Sequence, residues 1–160
     1  MWESALPFFQ WSDNLWVGHA ISATTWAFPL IETIHILAMA IMFGAMIIID
    51  LRLLGLGIRN RPVSELTRNL EPYMTSGLIT MLASGFLLFT SEALKCYDND
   101  GFRFKIELLV PAVLFQFTFY RWVTRQEDIR RSAPLGWTAS LLSTALWMAV
   151  GVGGRAIGFV

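Results

Sequence analysis

Apolar residues along this chain gather into four long segments, and short stretches between them hold most of the charges. The segments run over about 28–50, 73–91, 104–123 and 136–159. Each is long enough to cross a hydrocarbon core of roughly 30 Å, since a helix rises about 1.5 Å per residue. We therefore predict four membrane-spanning helices, and the short connections predict an all-α, up-down four-helix bundle.

The first 24 residues differ from these segments because tryptophans alternate there with polar residues. Four of the chain's seven tryptophans lie within the first 26 residues: Trp2, Trp11, Trp16 and Trp26. Tryptophan favours the boundary between lipid and water. We predict that residues 1–24 form one or two short amphipathic helices on the membrane surface, and that residues 1–160 form a single transmembrane domain. The opening MWESALPFFQ has no basic residue, so we expect no cleaved signal peptide.

Composition supports a membrane protein whose partner is the lipid bilayer. The chain is 55% hydrophobic and 15% charged, with a mean hydropathy of +0.54, which is too apolar for an ordinary soluble domain. Twelve basic residues balance twelve acidic ones, so no basic surface for nucleic acid is expected. The single cysteine, Cys96, cannot form a disulfide within the chain.

The distribution of the charges predicts the orientation. Eight of the twelve basic residues lie in or beside the first and third connections: Arg52, Arg59, Arg61, Arg68, Arg121, Arg125, Arg130 and Arg131. Connections rich in Lys and Arg stay on the cytoplasmic side. We predict a multi-pass protein of a bacterial inner membrane with both termini on the periplasmic side.

The first segment, FPLIETIHILAMAIMFGAMIIIDLRLLG, contains ionisable residues within an apolar run. At about 100° per residue, one helical face collects Glu32, His35, Met39, Met42, Met46 and Asp50. Ionisable groups inside a membrane usually face the bundle interior or a partner. We therefore predict that this face points inward.

Antiparallel topology brings further charged residues to the outer end of the bundle, namely Glu92, Lys105, Glu107 and Arg155. We predict a buried polar layer there. Its candidate cofactor-binding residues are Glu32, His35, Lys105 and Arg155. The candidate metal ligands are His35 and Met39, because imidazole and thioether groups suit copper.

The second and fourth segments carry matching faces of small and polar residues, which we interpret as packing seams. On the second segment these are Tyr73, Gly77, Thr80, Ser84 and Ser91. On the fourth they are Ser140, Thr144, Trp147, Gly151 and Arg155.

Three hypotheses for the function remain open. In the first, the chain is a structural or interaction subunit of a membrane assembly, as a homo-oligomer or beside other subunits, and the polar layer sets the helix register. In the second, it is a redox or binding module, a candidate for electron transfer, that holds b-type haem, a quinone or copper through His35. In the third, it transports protons, ions or a small solute.

The cofactor, if there is one, is unknown, and haem b is the leading candidate because Lys105 and Arg155 would lie near its propionates. The only other histidine, His19, belongs to the surface segment, which leaves no well-placed second axial histidine. Association is expected because Ala40 and Gly44 form a patch suited to close helix contact. No nucleophile elbow, phosphate loop or closed metal motif is found, so an enzyme is not expected.

Four stretches occur in a recognisable order: FPLIETIH, IIIDLRLLGLG, SGFLLFTSEALKCY with GFRFK, and LWMAVGVGGRAIGF. In these the chain resembles an uncharacterised family of small four-span bacterial inner-membrane proteins. The resemblance implies the fold and location but no activity, and it implies a histidine late in the third span, where this chain has Tyr120. It matches the family's recurring polar positions at Glu32, His35, Asp50, Arg52, Glu92, Lys105 and Arg155. In architecture the chain is also similar, more distantly, to b-haem and copper-resistance-type membrane bundles.

Overall fold

The computed structural model describes residues 2–57, 60–126 and 133–159, and within these ranges it contains helices and no strand. The helices are α1 (Leu6–Asp13), α2 (Trp16–Ala23), α3 (Ala27–Leu53), α4 (Val63–Ser91), α5 (Ala93–Tyr97), α6 (Asp100–Phe115), α7 (Arg121–Thr124) and α8 (Ala133–Ala156). A 3₁₀ turn, Glu3–Ala5, precedes α1, and a π-helical turn, Gln116–Tyr120, joins α6 to α7.

Four helices are long and apolar enough to cross a membrane: α3, α4, the continuous helix Asp100–Thr124, and Pro134–Ala156 within α8. The prediction of an all-α, four-span membrane protein is thereby confirmed. The helix of the second span begins at Val63, ten residues before the apolar segment, because the polar stretch that follows Pro62 continues the helix. Arg61 and Glu65 form an ion pair of 2.7 Å across its first turn. That residues 1–160 form one domain stays a prediction.

The spans pack as two antiparallel pairs. In the first pair, Gly77 of α4 lies against Ala38 and Met42 of α3. In the second, Gly153 of α8 lies against Lys105 of α6. A glycine at each point lets the backbones approach closely, as is common between membrane helices. Contacts between α3 and α8 join the two pairs.

We name the two ends of the bundle by their residues. The basic end holds the C-terminus of α3 and the N-terminus of α4, with Arg52, Arg61, Arg121 and Arg125. The aromatic end holds α1, α2 and α5 together with the C-terminus of α8. Three basic residues that were used to predict the orientation, Arg59, Arg130 and Arg131, lie outside the described residues.

The N-terminal helices are docked on the aromatic end. The Phe9 ring is buried and makes edge contacts with the rings of Phe89, Tyr97 and Phe102. A Cβ atom added at Gly18 would lie 2.2 Å from the Thr90 carbonyl oxygen, so α2 meets the backbone of α4 there. Trp16 remains 77% exposed, as expected of a side chain at the membrane surface.

The interior between the spans is filled largely by flexible methionine side chains around two large rings. The buried residues Met42, Met46, Met74, Met81, Tyr120 and Trp147 belong to one continuous apolar cluster. Methionine adapts its shape to irregular gaps, so these side chains suit the space between helix pairs. Large apolar side chains on the outer faces are exposed, which fits contact with lipid.

Candidate functional site

Two polar centres lie inside the bundle. The histidine centre consists of His35, Ser84 and Lys105 toward the aromatic end, and the aspartate centre consists of Asp50, Tyr120, Thr144 and Ser140 toward the basic end. Ionisable side chains within membrane spans are costly, and they commonly mark functional positions.

The hydrogen bonds of the histidine centre assign the tautomer of His35. Its Nδ1 lies 3.0 Å from Ser84 Oγ. The single hydroxyl hydrogen of Ser84 is directed to the Thr80 carbonyl oxygen at 2.6 Å, so Ser84 Oγ accepts from His35 Nδ1–H. The ring also has a hydrogen bond with the Met81 backbone, and in the neutral Nδ1–H tautomer Nε2 carries a lone pair.

Lys105 completes the histidine centre from the other helix pair. Its half-buried side chain lies along α8, where Gly154 leaves room for it, and a Cβ atom at Gly154 would lie 3.4 Å from Lys105 Nζ. The ammonium group acts electrostatically on His35. Among the residues that the structure describes, no carboxylate pairs with Lys105. This half-buried cation therefore has no counter-charge within the described part of the chain.

The remaining residues of the predicted polar layer lie elsewhere. Glu32 is exposed on α3. Arg155 is also exposed, and its guanidinium carbon stands 5.3 Å from the centroid of the Phe159 ring. Glu92 pairs with Lys95 at 2.6 Å. Of the four candidate residues, His35 and Lys105 are thus half-buried, whereas Glu32 and Arg155 are exposed.

The candidate metal ligands are only partly brought into one place. Met39 follows His35 by one turn of α3, is half-buried and packs against the core. Within the described ranges, no three His, Cys, Asp or Glu residues are grouped so that they could hold a metal ion. A metal site at His35 and Met39 therefore stays a prediction.

The aspartate centre joins three spans through one carboxylate. Asp50 is 3% exposed. Its Oδ1 accepts from the Tyr120 hydroxyl at 2.8 Å, and its Oδ2 accepts from Thr144 Oγ1 at 3.0 Å. Ser140 Oγ donates to the Asp50 carbonyl oxygen at 3.3 Å. These bonds tie α3 to both helices of the second pair.

Sequence reasoning placed Asp50, Ser140 and Thr144 on inward faces but did not group them. The sequence nevertheless contains an indication that these residues meet. In an antiparallel bundle, the end of the first span lies at the same end of the bundle as the end of the third span and the start of the fourth. Tyr120 occupies the position where the family resemblance implies a histidine, and it supplies the donor that Asp50 needs.

A cavity of ≈ 40 Å³ lies beside the aspartate centre. The residues that line it include Met42, Met46, Thr67, Glu71, Met74, Gln116, Tyr120, Arg121 and Trp147. At the basic end, Glu71 pairs with Arg121 at 2.7 Å and with Arg125 at 2.9 Å. The π-helical turn contributes Gln116 and Tyr120, and such turns often occur at functional sites.

Cys96 lies outside the spans, on α5. Burial, with a smaller contribution from the Glu92 carboxylate, raises the pKa of its thiol to about 11. The thiol is therefore neutral at physiological pH and is a weak nucleophile there.

Comparison with known protein families identifies the chain at the level of its family. A model of a family of unknown function, DUF6644, matches residues 8–160. The chain belongs to DUF6644. This confirms the prediction of an uncharacterised family, and the match includes both polar centres. No curated protein and no solved structure matches the chain.

Proposed function

We propose that this DUF6644 protein is a membrane-embedded binding module whose histidine centre takes the polar end of a quinol or quinone. The proposal rests on two groups of opposite hydrogen-bonding character that lie toward the aromatic end, the His35 imidazole and the Lys105 ammonium. Nε2 of His35 offers a lone pair, and the Lys105 ammonium offers donors without a carboxylate partner among the described residues.

The chemistry of these groups favours a ligand that both donates and accepts. A quinol hydroxyl can donate to His35 Nε2, and a quinone or quinol oxygen can accept from Lys105 Nζ. A half-buried ammonium gains more from such an acceptor than an exposed one does, because water screens it less. A ligand of this class reaches the centre from the lipid phase, which suits a site enclosed by apolar helices.

Haem and copper are the other ligands proposed for His35. Haem iron commonly takes a second axial ligand, and Cu(I) takes several soft ligands. In the described residues the histidine centre offers one imidazole, with Met39 on the same helix as His35. The donor set therefore supports hydrogen bonding to an organic ligand better than metal coordination.

Binding of a short-chain quinone, followed by quenching of tryptophan fluorescence in detergent micelles, tests this proposal. We expect His35→Ala and Lys105→Met each to weaken binding at least about tenfold, which corresponds to the loss of about 1.4 kcal/mol. The matched controls are His19→Ala and Lys95→Met, which alter the other, exposed histidine and lysine. Both controls should bind within about twofold of the unaltered protein.

Two results would overturn the quinol proposal. The first is equal affinity in all four variants, each checked for folding by its melting temperature. The second is a haem absorption band or bound copper in the purified protein that is lost in His35→Ala, since the ligand of His35 would then be a metal centre.

A second function, membrane assembly, is favoured by an uncovered patch on α3. Both Ala40 and Gly44 are exposed, and a Cβ atom added at Gly44 would meet no atom within 4 Å. Small residues of this kind let another membrane helix approach. We therefore also propose self-association or binding to another membrane subunit through this patch, with the basic end facing the cytoplasm of a bacterial inner membrane.

The oligomeric mass in lipid nanodiscs tests the assembly proposal. We expect Gly44→Leu to shift the complex toward the 18.1 kDa monomer, because the larger side chain separates the helices. The control is Val110→Leu, at a position that is 57% exposed on α6. A monomer in the unaltered protein, or an unchanged oligomer in Gly44→Leu, would contradict assembly through this patch.

A further inference from the structure

The cavity beside the aspartate centre contains buried polar atoms without partners. Thr67 Oγ1, Gln116 Oε1 and Trp147 Nε1 have no hydrogen-bond partner among the described residues. Thr67 is 5% exposed and Trp147 is 1% exposed, so these two side chains do not form hydrogen bonds with bulk water. A buried polar group that stays unpaired destabilises the folded protein, and such groups are rare in proteins.

Water molecules inside the cavity would satisfy these atoms. A volume of ≈ 40 Å³ has room for about three waters, because one water needs roughly 10–15 Å³ measured in this way. The lining offers a donor in Trp147 Nε1, an acceptor in Gln116 Oε1 and a hydroxyl in Thr67. Several polar partners per water is the condition under which a buried site is hydrated.

The cavity extends from the basic end to Tyr120, the residue that contacts the buried Asp50 carboxylate. Glu71 and Arg121 line it at the basic end, and Tyr120 lines it at the inner end. The Tyr120 hydroxyl donates to Asp50 Oδ1 at 2.8 Å. We propose that the cavity is a water-filled proton-access site through which Asp50 takes up and releases a proton from the basic end.

The proposed step conserves atoms and charge. A hydronium ion in the cavity gives a proton to the Tyr120 hydroxyl oxygen while the hydroxyl's own proton passes to Asp50 Oδ1. One O–H bond of hydronium and the original tyrosine O–H bond break, and new O–H bonds form on Tyr120 and Asp50. The products are water, an unchanged tyrosine and a neutral carboxylic acid. Release follows the same steps in reverse.

The titratable and charged groups that surround Asp50 leave it as the one carboxylate inside the described part of the bundle that can take up the proton. Among the described residues, the third span contributes Tyr120 and Arg121, α4 contributes Glu71, and α8 contributes the uncharged hydroxyls of Ser140 and Thr144. Arg121 and Arg125 form ion pairs with Glu71 at the mouth of the cavity. Arg52, on the helix of Asp50, donates to the Arg61 carbonyl oxygen in the loop. Asp50 is thus the carboxylate inside the bundle, and Glu71 is the one at its entrance.

Infrared difference spectroscopy on the full chain in proteoliposomes of known orientation tests the proposal. We expect a carboxylic-acid C=O band that titrates with pH and is absent in Asp50→Asn. After a pH jump on one side, the band should respond at least about tenfold faster when the jump is made at the basic end.

Because a folding defect in Asp50→Asn would also remove the band, we use two further variants that keep the side-chain volume. Thr67→Val removes a cavity hydroxyl and Tyr120→Phe removes the relay hydroxyl, and each should slow the response at least about tenfold. Thr118→Val, at an exposed position of the π-helical turn, should respond at the unaltered rate. A band retained in Asp50→Asn, an equal response from both sides, or an unchanged rate in both Thr67→Val and Tyr120→Phe would overturn the proposal, whatever the result for quinone binding.

Discussion

Replacing Asp50 by alanine is expected to lower the melting temperature of the detergent-solubilised protein by roughly 5–10 °C. The change removes the acceptor of the Tyr120 hydroxyl, whose side chain is 1% exposed. An orphaned buried donor costs about 1–3 kcal/mol, and the lost packing of the carboxylate adds to it. Thr144 contributes less, because it is exposed and its hydroxyl can turn to a carbonyl of its own helix. Circular dichroism during heating measures the shift.

Two comparisons isolate the hydrogen bond between Asp50 and Tyr120. Asp98→Ala removes an exposed carboxylate outside the spans and should change stability by no more than about 0.5 kcal/mol. In a Tyr120→Phe background, Asp50→Ala should cost less than it does alone, because the donor is already absent. Equal effects in the two backgrounds would show that the bond contributes nothing to stability.

Replacing Gly77 by leucine is expected to prevent α3 and α4 from pairing, so that the protein elutes as an aggregate in size-exclusion chromatography. Even the Cβ atom of a substituent would lie 2.9 Å from the Ala38 carbonyl oxygen and 3.1 Å from Met42 N. These are backbone atoms that a change of rotamer cannot move, so the helices must separate. Gly77→Ala should be milder and still destabilising, although alanine favours helix by about 1 kcal/mol over glycine.

The matched control for Gly77 is Gly151→Ala, because Gly151 also lies within a long membrane helix but has no neighbouring atom within 4 Å of an added Cβ. This variant should keep its elution volume and its melting temperature, or gain up to about 1 kcal/mol of stability from helix propensity. If Gly77→Ala and Gly151→Ala melt at the same temperature, close approach of the two backbones at Gly77 is not what positions α3 and α4.

The four spans could be predicted because a membrane helix satisfies its backbone hydrogen bonds internally, so a long apolar segment is sufficient to indicate one. The boundary of α4 could not be predicted in the same way. Its first ten residues are too polar to belong to the apolar segment. They are nevertheless helical, and the helix runs without a break from Val63, the residue after Pro62. Hydrophobicity indicates where lipid surrounds a helix, whereas the end of the helix depends on local backbone geometry.

The candidate site shows a second limit of the periodic pattern. Glu32 and Asp50 lie at the same angle on α3, since they are 18 positions apart and this separation makes five full turns. Asp50 is buried under Tyr120 and Thr144, whereas Glu32 is exposed. Periodicity assigns a residue to a face of its helix. It does not indicate which neighbouring helix covers that face at a given height.

The sequence by itself determined that this is a four-span, all-α membrane protein with ionisable residues on the inner face of its first span, because apolar length and helical period are local properties of the chain. Only the tertiary structure decided which polar groups meet. It pairs His35 with Ser84, and it joins Asp50 to Tyr120 beside a cavity. These contacts depend on the distances between helices that are far apart in sequence, which residues such as Gly77 and Gly153 control through backbone approach.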